Sequence, residues 1–119
     1  TLFYDLEISL ANALHTMDQT TIDQIVDNSF ELRLTSQPDK PIPRDIWLKT
    51  ALNKSPVHID QIEKMAVYNL QNTAIVSYES TKHREMRNKK IFIVDVWAQD
   101  NHQWKLMVRY SNDTRYYNQ

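Results

Sequence analysis

Asp95 and Arg109 are the residues of this chain best placed to do chemistry, because each interrupts a segment otherwise built for burial. Asp95 sits in Ile91-Phe-Ile-Val-Asp-Val-Trp97, and Arg109 in Trp104-Lys-Leu-Met-Val-Arg-Tyr110. Both segments read as strands joined by a short turn, and period-two alternation puts the two charges on the same face of that hairpin. On an enclosed face they form a pair able to bind or polarise an oxygenated molecule. On an open face they would only fix the register of the sheet.

Other chemistry is sparse. His15, His58, His83 and His102 share no i, i+3 or i, i+4 spacing, so no helical metal pair exists. His15 precedes Asp18 by three residues, and a helix-capping role suits that aspartate better than a metal. His83-Arg-Glu85 has the spacing of a zinc deaminase motif, but the cysteine pair it requires is missing. Zero cysteines also exclude a thiolate nucleophile and a disulfide scaffold, and suit a reducing compartment. Zero glycines, where ordinary usage predicts roughly eight, exclude the dinucleotide fingerprint and the P-loop. Serines are present, but none is spaced with a histidine and an acid as a nucleophile set. No catalytic residue, metal ligand or cofactor is assigned.

The elements that must position Asp95 and Arg109 follow from periodicity in a chain of 119 residues, the length of a single domain spanning 1–119. Leu2, Leu6, Leu10, Ala13, Leu14 and Met17 recur at helical spacing opposite Asp5, Glu7, Asn12 and Thr16, which predicts an amphipathic helix with Glu7 on its polar face. A short helix with Ile22, Ile25 and Val26 follows, capped by Asp18 or Thr21. Phe30, Leu32 and Leu34 alternate as a strand, Thr35 to Pro43 reads as a proline-rich loop, and Pro43 opens a third helix running to Leu52. Four extended runs then form an antiparallel meander: Val57 to Asn69, Thr73 to Met86, Lys89 to Gln99 and Gln103 to Ser111. With glycine absent, Asn28, Asn53, Asn72, Asn88 and Asn101 are the expected turn markers. Residues 112–119 read as a flexible tail. Helices first and strands after give an α+β fold: three N-terminal helices on a strongly curved antiparallel sheet.

The ordered set Ala13-x4-Asp18-x3-Ile22, Phe30, Pro43-Arg-Asp-x-Trp-Leu48, Ala74-Ile-Val-x-Tyr78, Asp95-Val-Trp97 and Trp104-Lys-Leu106 resembles the nuclear transport factor 2-like superfamily. The resemblance is nearest to its SnoaL-like and ketosteroid-isomerase-like small bacterial members of unknown function, and it spans Leu2 to Ser111. It implies a cone-shaped half-barrel with a pocket at its mouth, commonly as a homodimer. Of the ketosteroid isomerase residues, the tyrosine and the base would fall near Leu10 and Leu34, where neither is present, and only Asp95 occupies the place of the oxyanion-hole acid. The same alignment turns Ile91, Ile93, Asp95, Trp97, Met107, Arg109 and Ser111 toward the cavity, with Tyr78 and Ser80 beside them. Where relatives carry glycines, this chain has Gln37-Pro38 and Asn101-His-Gln103.

The resulting expectation is a small-molecule-binding protein with a partly apolar pocket lined by Asp95, Arg109, Tyr78, Trp97, Ser80 and Trp47. Its partner would be a small organic ligand. The alternatives are lyase, isomerase or cyclase chemistry by acid and base at Asp95 with help from Tyr78, and a dimeric interaction module. Apolarity on both faces of the strand around Asp95 predicts a homodimer burying Val94, Val96, Leu106 and Val108. A cytoplasmic location is expected, with room for a leader removed before Thr1. No apolar run approaches the roughly 18 residues of a membrane span, and a net charge of −1 gives no general attraction to nucleic acid. The basic stretch Lys82 to Lys90 holds no aromatic residue to stack on bases. Filter or fluorescence titration is therefore expected to find no salt-dependent micromolar binding to DNA or RNA. Binding that disappears when Arg84, Arg87 and Lys90 are replaced together would contradict this.

Overall fold

The computed structural model describes residues 1–53, 62–84 and 87–113. Three helices, α1 (Leu2–Thr16), α2 (Gln19–Ile25) and α3 (Arg44–Asn53), accompany strands β1 (Val26–Leu34), β2 (Gln37–Pro43), β3 (Ile62–Leu70), β4 (Thr73–Arg84), β5 (Arg87–Asp100) and β6 (Gln103–Ser111). The strands form one open sheet in the order β2-β1-β6-β5-β4-β3. Neighbours are antiparallel except β1 and β6, which run parallel, so the sheet is mixed. One apolar core lies between helices and sheet, with Leu10, Ile22 and Trp47 from the helices against Phe30, Leu32, Val76, Ile91, Trp97 and Leu106 from the strands. Among the described residues, no helix is long and apolar enough to cross a membrane.

The sheet is wider than the meander predicted from sequence. The segment read as a proline-rich loop is β2, paired with β1 through Ile42 opposite Leu32 and Gln37 opposite Leu34. Prolines are compatible with a strand when it lies at a sheet edge and the missing N–H would have faced solvent. The first strand also starts earlier than expected, at Val26, which leaves the short helix at Ile25. The expected run from Val57 is seen from Ile62; its first residues, and the hairpin tip at 85–86, lie outside the described residues. So do residues 114–119 of the expected tail, whereas Asn112 and Asp113 are docked: the Asn112 side chain accepts from the Phe92 amide at 2.9 Å, and Asp113 is buried.

One irregularity changes which residues share a face. Asp95 stands opposite Arg109 and Val96 opposite Val108, but Trp97 stands opposite Leu106, so β6 carries one extra residue, Met107. Such a bulge reverses alternation on its own strand. Leu106 is consequently buried beside Trp97 on the helix-facing side, not on the outer face with Val96 and Val108, and Met107 occupies the bulge rather than a regular inward position. Trp104 follows Leu106 inward and packs edge-on against Phe3 of α1, with ring centroids 5.0 Å apart.

Of the asparagines expected to mark turns, Asn72 and Asn101 stand in turns. Among the described residues, positive φ is adopted by Met17, Lys64, Gln71, Asn101 and His102. Only Asn101 belongs to the predicted set; Asn72 leaves the left-handed position to Gln71, Asn28 lies within β1, and Asn88 pairs with His83 across β4 and β5. Asn101 and His102 carry the last hairpin, where glycine is usual in the family that the sequence resembles. Asp18 is the cap of α2, accepting from the Thr21 amide at 3.2 Å and the Thr21 hydroxyl at 2.6 Å. Those hydrogen bonds hold its carboxyl below the usual range. Met17 ends α1 with φ 58° and ψ 39°, and its side chain is 66% exposed, so it incurs the left-handed penalty without packing in return. Relief of that penalty, less the extra chain entropy of glycine, should make Met17→Gly more stable by about 0.5–1 kcal/mol. Urea melts measure this; a less stable variant would contradict the assignment of strain to this position.

Candidate functional site

Four elements deliver polar side chains to one spot on the helix-facing side of the sheet: Glu7 from α1, Tyr78 from β4, Asp95 and Trp97 from β5, and Arg109 from β6. Strand pairing explains the meeting. Asp95 lies directly opposite Arg109, while Tyr78 lies opposite Ile93, two residues along the same face. Arg109 grips Asp95 with two bonds, Nε to Oδ1 at 2.8 Å and Nη2 to Oδ2 at 2.9 Å. Its Nη2 also reaches Glu7 Oε1 and the Tyr78 hydroxyl, each at 3.3 Å. Tyr78 donates to Glu7 Oε1 at 3.2 Å, and the Trp97 indole donates to Glu7 Oε2 at 3.1 Å.

These groups are out of water. Glu7 is 1% and Asp95 0% exposed, and Arg109 keeps 13% of its side chain accessible. Burial, and then the neighbouring Asp95, push the Glu7 carboxyl well above the usual range; Arg109 opposes this only in part. The shift favours the protonated form of Glu7, which can donate as well as accept. Burial likewise raises the Tyr78 phenol, keeping it a proton-bearing donor. For Arg109 burial works against the charge, but Asp95 and Tyr78 outweigh it and the guanidinium stays protonated. The cluster therefore combines one bidentate ion pair with the neutral donors of Tyr78 and Trp97, a set suited to polarising or hydrogen-bonding an oxygen.

Of the residues singled out from sequence, Asp95, Arg109, Tyr78 and Trp97 come together in this cluster. Ser80 lies two residues beyond Tyr78 on the same face, half-buried opposite Ile91. Trp47 is buried on α3, its ring tilted on Phe30 with centroids 4.4 Å apart, so its observed partner belongs to the apolar core. Glu7 is the member that sequence reasoning missed, having placed it on the polar face of α1. The buried stripe of that helix is Phe3, Glu7, Leu10 and Ala13, whereas Leu2 and Met17 are exposed. The signal was available: Phe3 and Leu10 sit four residues before and three after Glu7, on one side of a helix. Among the described residues, no three His, Asp or Glu side chains converge as metal ligands.

The burial of the pair sets a magnitude for its loss. Arg109→Met strands Asp95 in the interior and should destabilise the fold by about 3–5 kcal/mol, whereas an exposed pair would cost about 1 kcal/mol or less. Asp95→Asn keeps shape and one acceptor and should cost less than Arg109→Met. Denaturant melts of both variants check the order; a change of only a few tenths of a kcal/mol for Arg109→Met would contradict the buried geometry.

No protein-family model matches the sequence, and no curated protein matches it. Solved structures do. An NTF2-like protein from Cytophaga hutchinsonii superposes with a TM-score of 0.76 at 13% identity, covering 92% of this chain and 93% of that one. The S. rosetta CaMKII hub gives 0.71 at 18% identity, with 92% of each chain covered. The association domain of C. elegans CaMKII gives 0.74 at 14% identity, covering 93% of this chain and 92% of that one. With three helices on one side of an open, six-stranded mixed sheet and these structural neighbours, the chain has the cone fold of the nuclear transport factor 2-like superfamily.

Proposed function

We propose that this chain binds a small organic molecule inside the cone, and that Arg109 and Tyr78, backed by Asp95 and Glu7, hold an oxygen of that molecule. The observation that carries this reading is the convergence of five polar side chains from four elements on the helix-facing side of the sheet. Well-packed apolar residues of similar volume stabilise an interior as well as or better than a buried ion network. A costly polar cluster between the helices and the sheet is therefore a candidate site. Arg109 keeps 13% of its side chain accessible, and half-buried Trp104, packed against Phe3, adds apolar surface on the same side of the sheet. Tyr78 has a donor that can turn from Glu7 to a ligand oxygen, and the raised pKa of Glu7 lowers the cost of leaving that carboxyl without it. No cofactor is needed for binding of this kind. Native mass spectrometry of the chain purified gently from its source is expected to show a small-molecule adduct, reduced in Tyr78→Phe while the variant stays folded. A bare chain from every preparation, or equal occupancy in the variant, would contradict the reading.

A second observation favours self-association through the opposite face. Ile75, Phe92 and Tyr110 are exposed there, with Val94, Val96 and Val108 half-buried among them. A contiguous apolar face of this kind is the ordinary signature of an interface. The hub and association domains among the structural neighbours carry names that denote assembly. The interface proposed is a two-fold one in which each copy covers the other's outer sheet face, now without Leu106. Sedimentation at micromolar concentration should show a dimer for the wild type and a folded monomer for Ile75→Lys. A wild-type monomer with native circular dichroism would contradict it.

A further inference from the structure

Glu7 sits where a helix meets a sheet, and its carboxyl is the point at which α1 enters the polar cluster. The groups facing it are Tyr78 from β4, Asp95 and Trp97 from β5, and Arg109 from β6. The cluster holds two carboxyl groups and one guanidinium, and that guanidinium is already committed to Asp95 through two short bonds. Two buried carboxyl groups that share one guanidinium cannot both ionise cheaply, because the second charge meets only the single 3.3 Å contact that Arg109 makes beside its two shorter bonds to Asp95. Asp95 is fixed within a central strand. Glu7 rides on α1, which packs on the sheet through side chains such as Phe3, Leu10 and Ala13, and lifting that helix would return Glu7 to water.

We propose that docking of α1 on the sheet is proton-linked: Glu7 joins the cluster as the neutral acid, and loss of its proton releases the helix. This inference stands on the cluster itself and is independent of any ligand. Its sign is fixed by the direction of the shift. An acid whose folded pKa lies above its unfolded value binds its proton more tightly in the folded state. Folding stability then falls as pH rises from the unfolded value near 4.5 toward the folded value, and levels off above it. Asp18, Asp23 and Asp27 have lowered pKa values and act oppositely; the stability they contribute is lost at acid pH, below this window. Tyr78 is raised above 10 and adds its effect only at strongly alkaline pH.

The test uses carbon-13 NMR of the side-chain carboxyls together with amide hydrogen exchange and urea melts from pH 5 to 9. Glu7 is expected to keep its protonated shift at pH values where exposed glutamates have ionised. When it does titrate, exchange of the α1 amides should accelerate relative to those of β5. The unfolding constant should rise by up to about tenfold per pH unit in that window, the limit for one proton. Glu7→Gln cannot titrate and should flatten the melt series. Asp95→Asn removes the adjacent charge and should move the Glu7 titration to lower pH, so the proposal is decided even if the Gln variant fails to fold. Titration of Glu7 together with exposed glutamates, or α1 protection that stays parallel to β5 across its titration, would overturn it.

Discussion

The structure depends on a desolvation constraint: a guanidinium and two carboxyl groups have left water together, and each is tolerable only because of the others. Arg109 cannot be buried without Asp95, and Asp95 cannot stay at 0% exposure without the two bonds from Arg109. Glu7 is accommodated by accepting from Tyr78, Trp97 and Arg109, in surroundings that favour its protonated form. Because the five residues come from α1, β4, β5 and β6, satisfying them fixes how the helix layer seats on the sheet. Apolar contacts such as Phe3 on Trp104 supply area but little directional information. The polar cluster supplies direction.

The same constraint explains the bulge at Met107. Uninterrupted alternation from Arg109 would turn Lys105 inward and Trp104 and Leu106 outward. With one extra residue in β6, Arg109 can face Asp95 while Leu106 and Trp104 also face the helices. Lys105 is thereby released to the outside, where its ammonium donates to the Asp23 carbonyl in the last turn of α2 at 3.2 Å, and Gln103 does the same for Gln24. Two exposed carbonyls at that helix end are satisfied from the strand. A local irregularity in one strand thus serves the cluster, the core and a helix terminus.

Much of this was legible in the sequence because strands announce faces by parity. Asp95, Trp97 and Arg109 were assigned to one face of their hairpin, and Tyr78 to the same side, from spacing and family resemblance. Glu7 was not, since the leucines of α1 drew attention to a face centred on Leu6 and Leu10, and a carboxylate is ordinarily read as solvent-facing. Leu106 was misplaced because neither glycine nor proline marks the bulge. β2 was hidden by Pro38, Pro41 and Pro43, which a sheet edge tolerates. The parallel pairing of β1 with β6 joins segments far apart in sequence, and no local pattern encodes a partner at that distance.

The central claim is that Glu7 and Arg109 act as one energetic unit tying α1 to the sheet. A double-mutant cycle in urea, using Glu7→Gln, Arg109→Met and the double variant, measures that unit directly. The account predicts a coupling energy of at least about 1 kcal/mol, with the double variant more stable than the sum of the single losses implies. Additive losses, to within about 0.3–0.5 kcal/mol, would show that the two residues are buried independently and would contradict the account.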